Sequence, residues 1–145
     1  MNLTEAEQAF LEEQHHGRLA TVARDGSPQV KPVGFSYNAE LGTIDIAGMN
    51  MAASAKYKNV QVNPRVAFVA DDVPAPEKGA GGVRFLEIRG TAETAVAAEP
   101  DETGHLAPEI IRIRPRRVLS FNVEGPGLRV RDGDGAGVRS ERWPA

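Results

Sequence analysis

The segment Ser54-Ala55-Lys56-Tyr57-Lys58-Asn59 sets two lysines around a tyrosine, with Ser54 one helical turn ahead of Lys58. Lysine is a compact cation that suits phosphate, and serine and asparagine can donate hydrogen bonds to phosphate oxygens. The preceding Gly48-Met49-Asn50 lets the chain turn, and can present the free amides of a helix start to an anion. Lysines of this kind also occur on plain solvated helix faces, so the pattern alone leaves both readings open.

Lys31-Pro32-Val33 lies inside a strand-like run. Proline cannot donate to a sheet ladder, which puts this strand at an edge or at a bulge. Backbone groups freed there could pair with a flat heterocycle, or Pro32 could simply blunt an edge. Arg112, Arg114, Arg116 and Arg117 form the densest basic run. On a strand, Arg112 and Arg114 share one face and Ile111 and Ile113 the other. Such a face could take an anionic tail, or stand in solvent paired with nearby glutamates.

Other chemistry finds little support. His15, His16 and His105 are too scattered for a metal site. Asp132-Gly133-Asp134-Gly135 begins like a calcium loop but lacks the remaining ligands. Neither a phosphate-binding GxxxxGK[ST] nor a nucleophile elbow is present.

The elements that must position these residues are mostly strands. Thr4 and Glu7 have capping-box spacing, and Leu3, Ala6, Phe10 and Leu11 make a short apolar stripe, so the chain opens with a helix that Gly17 would stop. Leu19 to Ala23, an Asp25-Gly26 turn and Gln29 to Tyr37 read as a hairpin. Thr43 to Ala47 adds a third strand. Gly48 to Asn63 is helical, with Ala53, Tyr57 and Val60 on its buried face. Val66 to Ala70 and Arg84 to Thr94 are strands separated by an exposed loop, Asp71 to Gly82. Ala95 to Pro108 is a crossing helix or loop. Ile110 to Arg114 and Val118 to Val123 are two final strands joined at Pro115. Short antiparallel connections between six or seven strands suggest a small barrel with two or three helices. The tail from Glu124, rich in glycine and arginine, reads as a loosely ordered extension.

The 145 residues suffice for one domain with one core, and the charge of −3 argues against a protein devoted to nucleic acid. The absence of cysteine points to a reducing compartment, and the acidic start and lack of a long apolar run point to a cytoplasmic protein with no membrane span.

The chain resembles the pyridoxamine 5'-phosphate oxidase-like split-barrel proteins, and among them the branch using the deazaflavin coenzyme F420. The resemblance rests on Gly17-Arg18-Leu19-Ala20-Thr21-Val22, Asp25-Gly26-Ser27-Pro28, Pro32-Val33-Gly34-Phe35 and the Ser54 to Asn59 segment. It continues through Asn63-Pro64-Arg65-Val66-Ala67, Glu87-Ile88-Arg89-Gly90, Ile111-Arg112-Ile113 and Pro115 with Arg117-Val118, in the family's order. It implies a mainly β fold: a six- to seven-stranded antiparallel split β-barrel of the FMN-binding type, flanked by short helices. The coenzyme-binding domain would occupy 1–123 and a Gly/Arg-rich C-terminal extension 124–145. The resemblance also implies a homodimer with the coenzyme in a groove between barrels. Ser54, Lys56, Lys58 and Asn59 would hold the phosphate, and Lys31, Pro32 and Val33 would line the ring through backbone contacts. The family commonly carries arginine at Lys58, tryptophan at Phe121 and Pro-Trp in the loop that here reads Pro76-Glu77-Lys78-Gly79.

The implied activity is that of an oxidoreductase passing a hydride between reduced F420 and an electron-poor small molecule, such as a conjugated ketone or tetrapyrrole. The coenzyme carries the hard chemistry, which fits a chain without a catalytic constellation. Solvent or Tyr57 would supply the proton. FMN in the same fold, a non-catalytic F420 carrier, and nucleic-acid binding through the arginines are the rivals. The last ranks lowest, because only 6% of residues are aromatic and the arginine run has no interleaved rings.

Overall fold

A computed structural model describes residues 1–75 and 82–133, and the backbone of 138–141. Among these the chain forms α1 (Glu5–Glu12), β1 (Gly17–Val22), β2 (Pro28–Asn38), β3 (Thr43–Ala47) and a 3-10 turn (Met51–Ala53). There follow α2 (Ala55–Val62), β4 (Arg65–Asp72), β5 (Arg84–Val96), β6 (Glu109–Phe121), β7 (Leu128–Asp132) and β8 (Val138–Glu141). All strand pairs are antiparallel, in the order β3-β2-β1-β4-β5-β6-β7-β8, and a β3–β6 pairing closes the first six into a barrel.

Strand β2 is shared between two partners. Pro28–Val33 pairs with β1, whereas Gly34–Asn38 pairs with β3. Pro28 and Pro32 therefore sit where the strand has a neighbour on one side only, the position that proline's missing N–H tolerates. The barrel interior is filled by alternate residues of the strands, and Ile44, Ile46, Phe68, Leu86, Ile88 and Ile113 are fully buried. Phe35 meets Phe68 edge-on, with ring centroids 4.9 Å apart.

The expected capping box is present: Thr4 Oγ1 accepts from the Glu7 N–H, and Glu7 Oε1 accepts from the Thr4 N–H. The helix ends at Glu12, ahead of Gly17. Gly17 instead opens β1, where a Cβ would stand 2.2 Å from the Phe68 ring. On the second helix Val60 is buried and Tyr57 packs partly against the core, but Ala53 is exposed in the 3-10 turn, because the 3-10 geometry before Ser54 breaks the expected periodicity. The connection 97–108 contains no helix.

The two strands expected around Pro115 are one. β6 runs through that proline because a bulge absorbs it: Gly90 pairs with Pro115 and Arg89 with Arg117, leaving Arg116 as the extra residue. A Cβ on Gly90 would lie 2.2 Å from the Arg114 carbonyl oxygen, so only glycine admits this approach. The described part of the tail, 124–133 with the backbone of 138–141, departs from the expectation of loose order. β7 pairs with β6, and Arg131 on β7 donates to the Glu7 carboxylate and to the Asn2 carbonyl, tying the tail to α1. The loop residues Pro76 to Gly79 and Trp143 lie outside the described residues.

Candidate functional site

Where β2 leaves β1 for β3, the barrel wall opens into a cleft of about 660 Å³. That volume falls in the range of small-molecule sites. Pro32, Val33 and Gly34 line one side, on a stretch where β2 changes partners, and Lys56 lines the cleft from the first turn of α2. Lys56 has no carboxylate partner among the described residues, which leaves its ammonium available to an anion.

The cleft thus gathers Pro32, Val33 and Lys56 from the expected set, and places the others elsewhere. Lys31 is exposed on β2 and does not line it. Ser54 is the N-cap of α2: its hydroxyl accepts from the Tyr57 N–H at 3.3 Å and donates to the Met51 carbonyl at 2.7 Å. Its proton is therefore already committed. Asn59 donates to Thr21 Oγ1 at 3.0 Å and to Gln29 Oε1 at 2.9 Å, so both amide protons brace α2 against the β1–β2 hairpin. Lys58 is exposed beyond the cleft, and Tyr57 packs against the core rather than lining it.

Sequence reasoning weighed His16 only as a metal ligand and Met49 only as part of a turn, and passed over Ser36, Asp45 and Leu106; all five line the cleft. His16 lies just before β1 and Leu106 in the 97–108 connection, and nothing in their local sequence marks them. Asp45 could have been found, because it is an acid on a strand whose neighbours Ile44 and Ile46 are apolar. Burial pushes its carboxyl up, but hydrogen bonds from Arg112, Thr43 and Asn38 more than offset this and hold it below the usual carboxylate range. An acid so held stays ionised and is no proton donor at neutral pH.

Three of the four arginines in the basic run are paired with acids rather than lining an open basic groove. Arg112 meets Asp45 at 3.1 Å, Arg114 meets Glu93 at 2.7 Å, and Arg117 meets Asp132 at 2.5 Å. Arg116 alone of the four has no carboxylate partner among the described residues.

Residues 3–126 match the family model described as pyridoxamine 5'-phosphate oxidase. The chain is 42% identical over 135 residues to a 5a,11a-dehydrotetracycline/5a,11a-dehydrooxytetracycline reductase of Streptomyces rimosus, covering 91% of this chain and 94% of the relative. Among solved structures it resembles an F420 reductase with a TM-score of 0.55 and 26% identity, over 78% of this chain and 95% of the other. A pyridoxamine 5'-phosphate oxidase-related, FMN-binding protein of Nostoc punctiforme shares the fold, with a TM-score of 0.66 at 12% identity over 99% of this chain and 98% of that one.

Proposed function

The chain belongs to the pyridoxamine 5'-phosphate oxidase family of oxidoreductases, and from that premise we propose that it is an F420-dependent reductase of a conjugated, electron-poor ring ketone. The carrying observation is the coincidence, in one cleft, of the free ammonium of Lys56 with the one-sided backbone of Pro32 and Val33. The 42% identity to a reductase of dehydrotetracyclines supports the substrate class, a polycyclic enone.

The residues fit a phosphorylated, flat coenzyme. Lys56 would hold an anionic oxygen, and the Pro32–Gly34 backbone would lie along the ring, with Phe35, Met49 and Leu106 keeping water from its face. Reduced F420, when bound, supplies the hydride. Asp45, paired with Arg112 and held ionised, would line the cleft without serving as the proton donor. Lys31 and Lys58, both exposed, remain available to the longer anionic portion of the coenzyme. The chain would act as a homodimer. The hairpin at Arg24–Pro32 is exposed on both faces and carries Val30 at 62% exposure beside a free strand edge, a surface that a second copy would cover.

FMN is the second reading, and the paired arginines favour it: with Arg112, Arg114 and Arg117 neutralised, a long acidic tail has less to bind. The deciding assay mixes the protein with reduced F420 and a dehydrotetracycline without oxygen. Oxidation of F420 in step with loss of the enone supports the reading. Turnover only after loading with FMN overturns it.

A further inference from the structure

A second cavity, of about 490 Å³, opens at the Gly90 bulge and is lined by Arg65, Arg89 and Arg116 with Pro64, Val66 and Thr91. It lies at the far end of α2 from the cleft. Lys56 stands in the first turn of that helix and Arg65 just beyond its C-cap at Asn63, a separation along the helix of about 12 Å.

Ion pairing separates these arginines from the rest. Arg18, Arg84, Arg89, Arg112, Arg114, Arg117, Arg129 and Arg131 each have a carboxylate within ion-pair distance. Among the arginines whose side chains are described, only Arg24, Arg65 and Arg116 have none, and two of these three converge on this cavity. Arg89 is held by Glu87 at 2.8 Å, so the local balance is two uncompensated guanidinium groups. The bulge sets this up. Arg116 is the extra residue of the bulge, with no register partner on β5, and it lines the cavity beside Gly90 and Thr91.

Two planar forks with no internal partner match a compact dianion, since each can give a carboxylate- or phosphate-type oxygen pair parallel hydrogen bonds. The cavity exceeds the size of an inorganic ion, and Pro64 and Val66 supply an apolar wall beside the charge. We propose that Arg65 and Arg116 form a binding site for a phosphate or small phosphate monoester, separate from the coenzyme cleft and independent of which coenzyme that cleft holds.

The test is a titration of the full chain with inorganic phosphate, and in a second arm with glycerol 3-phosphate, at constant ionic strength. The arginine Nε–Hε signals are followed by NMR. The proposal expects the Arg65 and Arg116 signals to shift saturably, with at least a tenfold loss of affinity in the R65Q/R116Q double variant and no loss in Lys56→Ala. Both side chains are exposed and unpaired, so the double variant should keep the parent's thermal midpoint. Tighter binding of the ester would assign a monoester as ligand, and equal binding the free ion. A drift shared by all arginines without saturation would overturn the site, as would unchanged affinity in the double variant.

Discussion

The Arg112 guanidinium grips the Asp45 carboxylate through two hydrogen bonds of 3.1 Å across the β3–β6 seam. The two residues are direct register partners at the point where the sheet closes on itself, and both side chains are largely shielded from solvent. The closure of the barrel and one wall of the cleft thus depend on the same pair.

Breaking the pair should cost stability, because one charge is left shielded without its partner. Asp45→Asn should lower unfolding free energy by about 2 to 3 kcal/mol, read by urea titration. The pH dependence has a definite sign. The folded-state carboxyl titrates below its ordinary value, so its stabilisation is present above the ordinary carboxylate range and disappears as pH falls through the folded-state value. The wild type should therefore lose more stability than Asp45→Asn on acidification through that range, and parallel curves would refute this.

Gly90→Ala should be among the more damaging changes at the barrel surface. The added Cβ meets the backbone carbonyl of Arg114, which has no rotamer to yield. A loss of about 2 to 3 kcal/mol is expected from the overpacking, with altered amide shifts at Arg116. A neutral result would mean that the bulge relaxes easily.

Arg131→Met tests whether the tail belongs to the fold. Glu7 is 2% exposed, and Arg131 offers it a hydrogen bond at 2.7 Å to Oε2. Removing the cation strands a buried carboxylate, at a cost of about 3 kcal/mol or more. Pairing the change with Glu7→Gln should restore part of that loss, because the stranded charge goes too. Melting curves of the three variants decide it.

Much of the barrel was legible in advance, because its cues are local. The Thr4–Glu7 cap, the Asp25-Gly26 turn and the alternation of Leu86 and Ile88 each act over a few residues. The errors came from long-range events. Pro115 read as a strand break, since the relief offered by Gly90 comes from a strand 25 positions earlier, where it is the register partner. The glycine-rich tail read as loose, since Glu7, which fastens Arg131, lies at the other end of the chain. In the cleft, Lys56 and Pro32 were visible by residue type. Ser54 and Asn59 have the right types too, but their protons serve a helix cap and a hairpin brace. His16 and Leu106 reach the cleft only through the three-dimensional path of their loops.

The proposed function requires that the cleft beside Lys56 hold F420. Fluorescence titration of the wild type and of Lys56→Ala with F420, in parallel with FMN at physiological salt, tests it directly. F420 is expected to bind more tightly than FMN. In Lys56→Ala the F420 affinity should fall roughly tenfold, about 1.4 kcal/mol, with an unchanged thermal midpoint. Preference for FMN, or an affinity indifferent to the lysine, would contradict it.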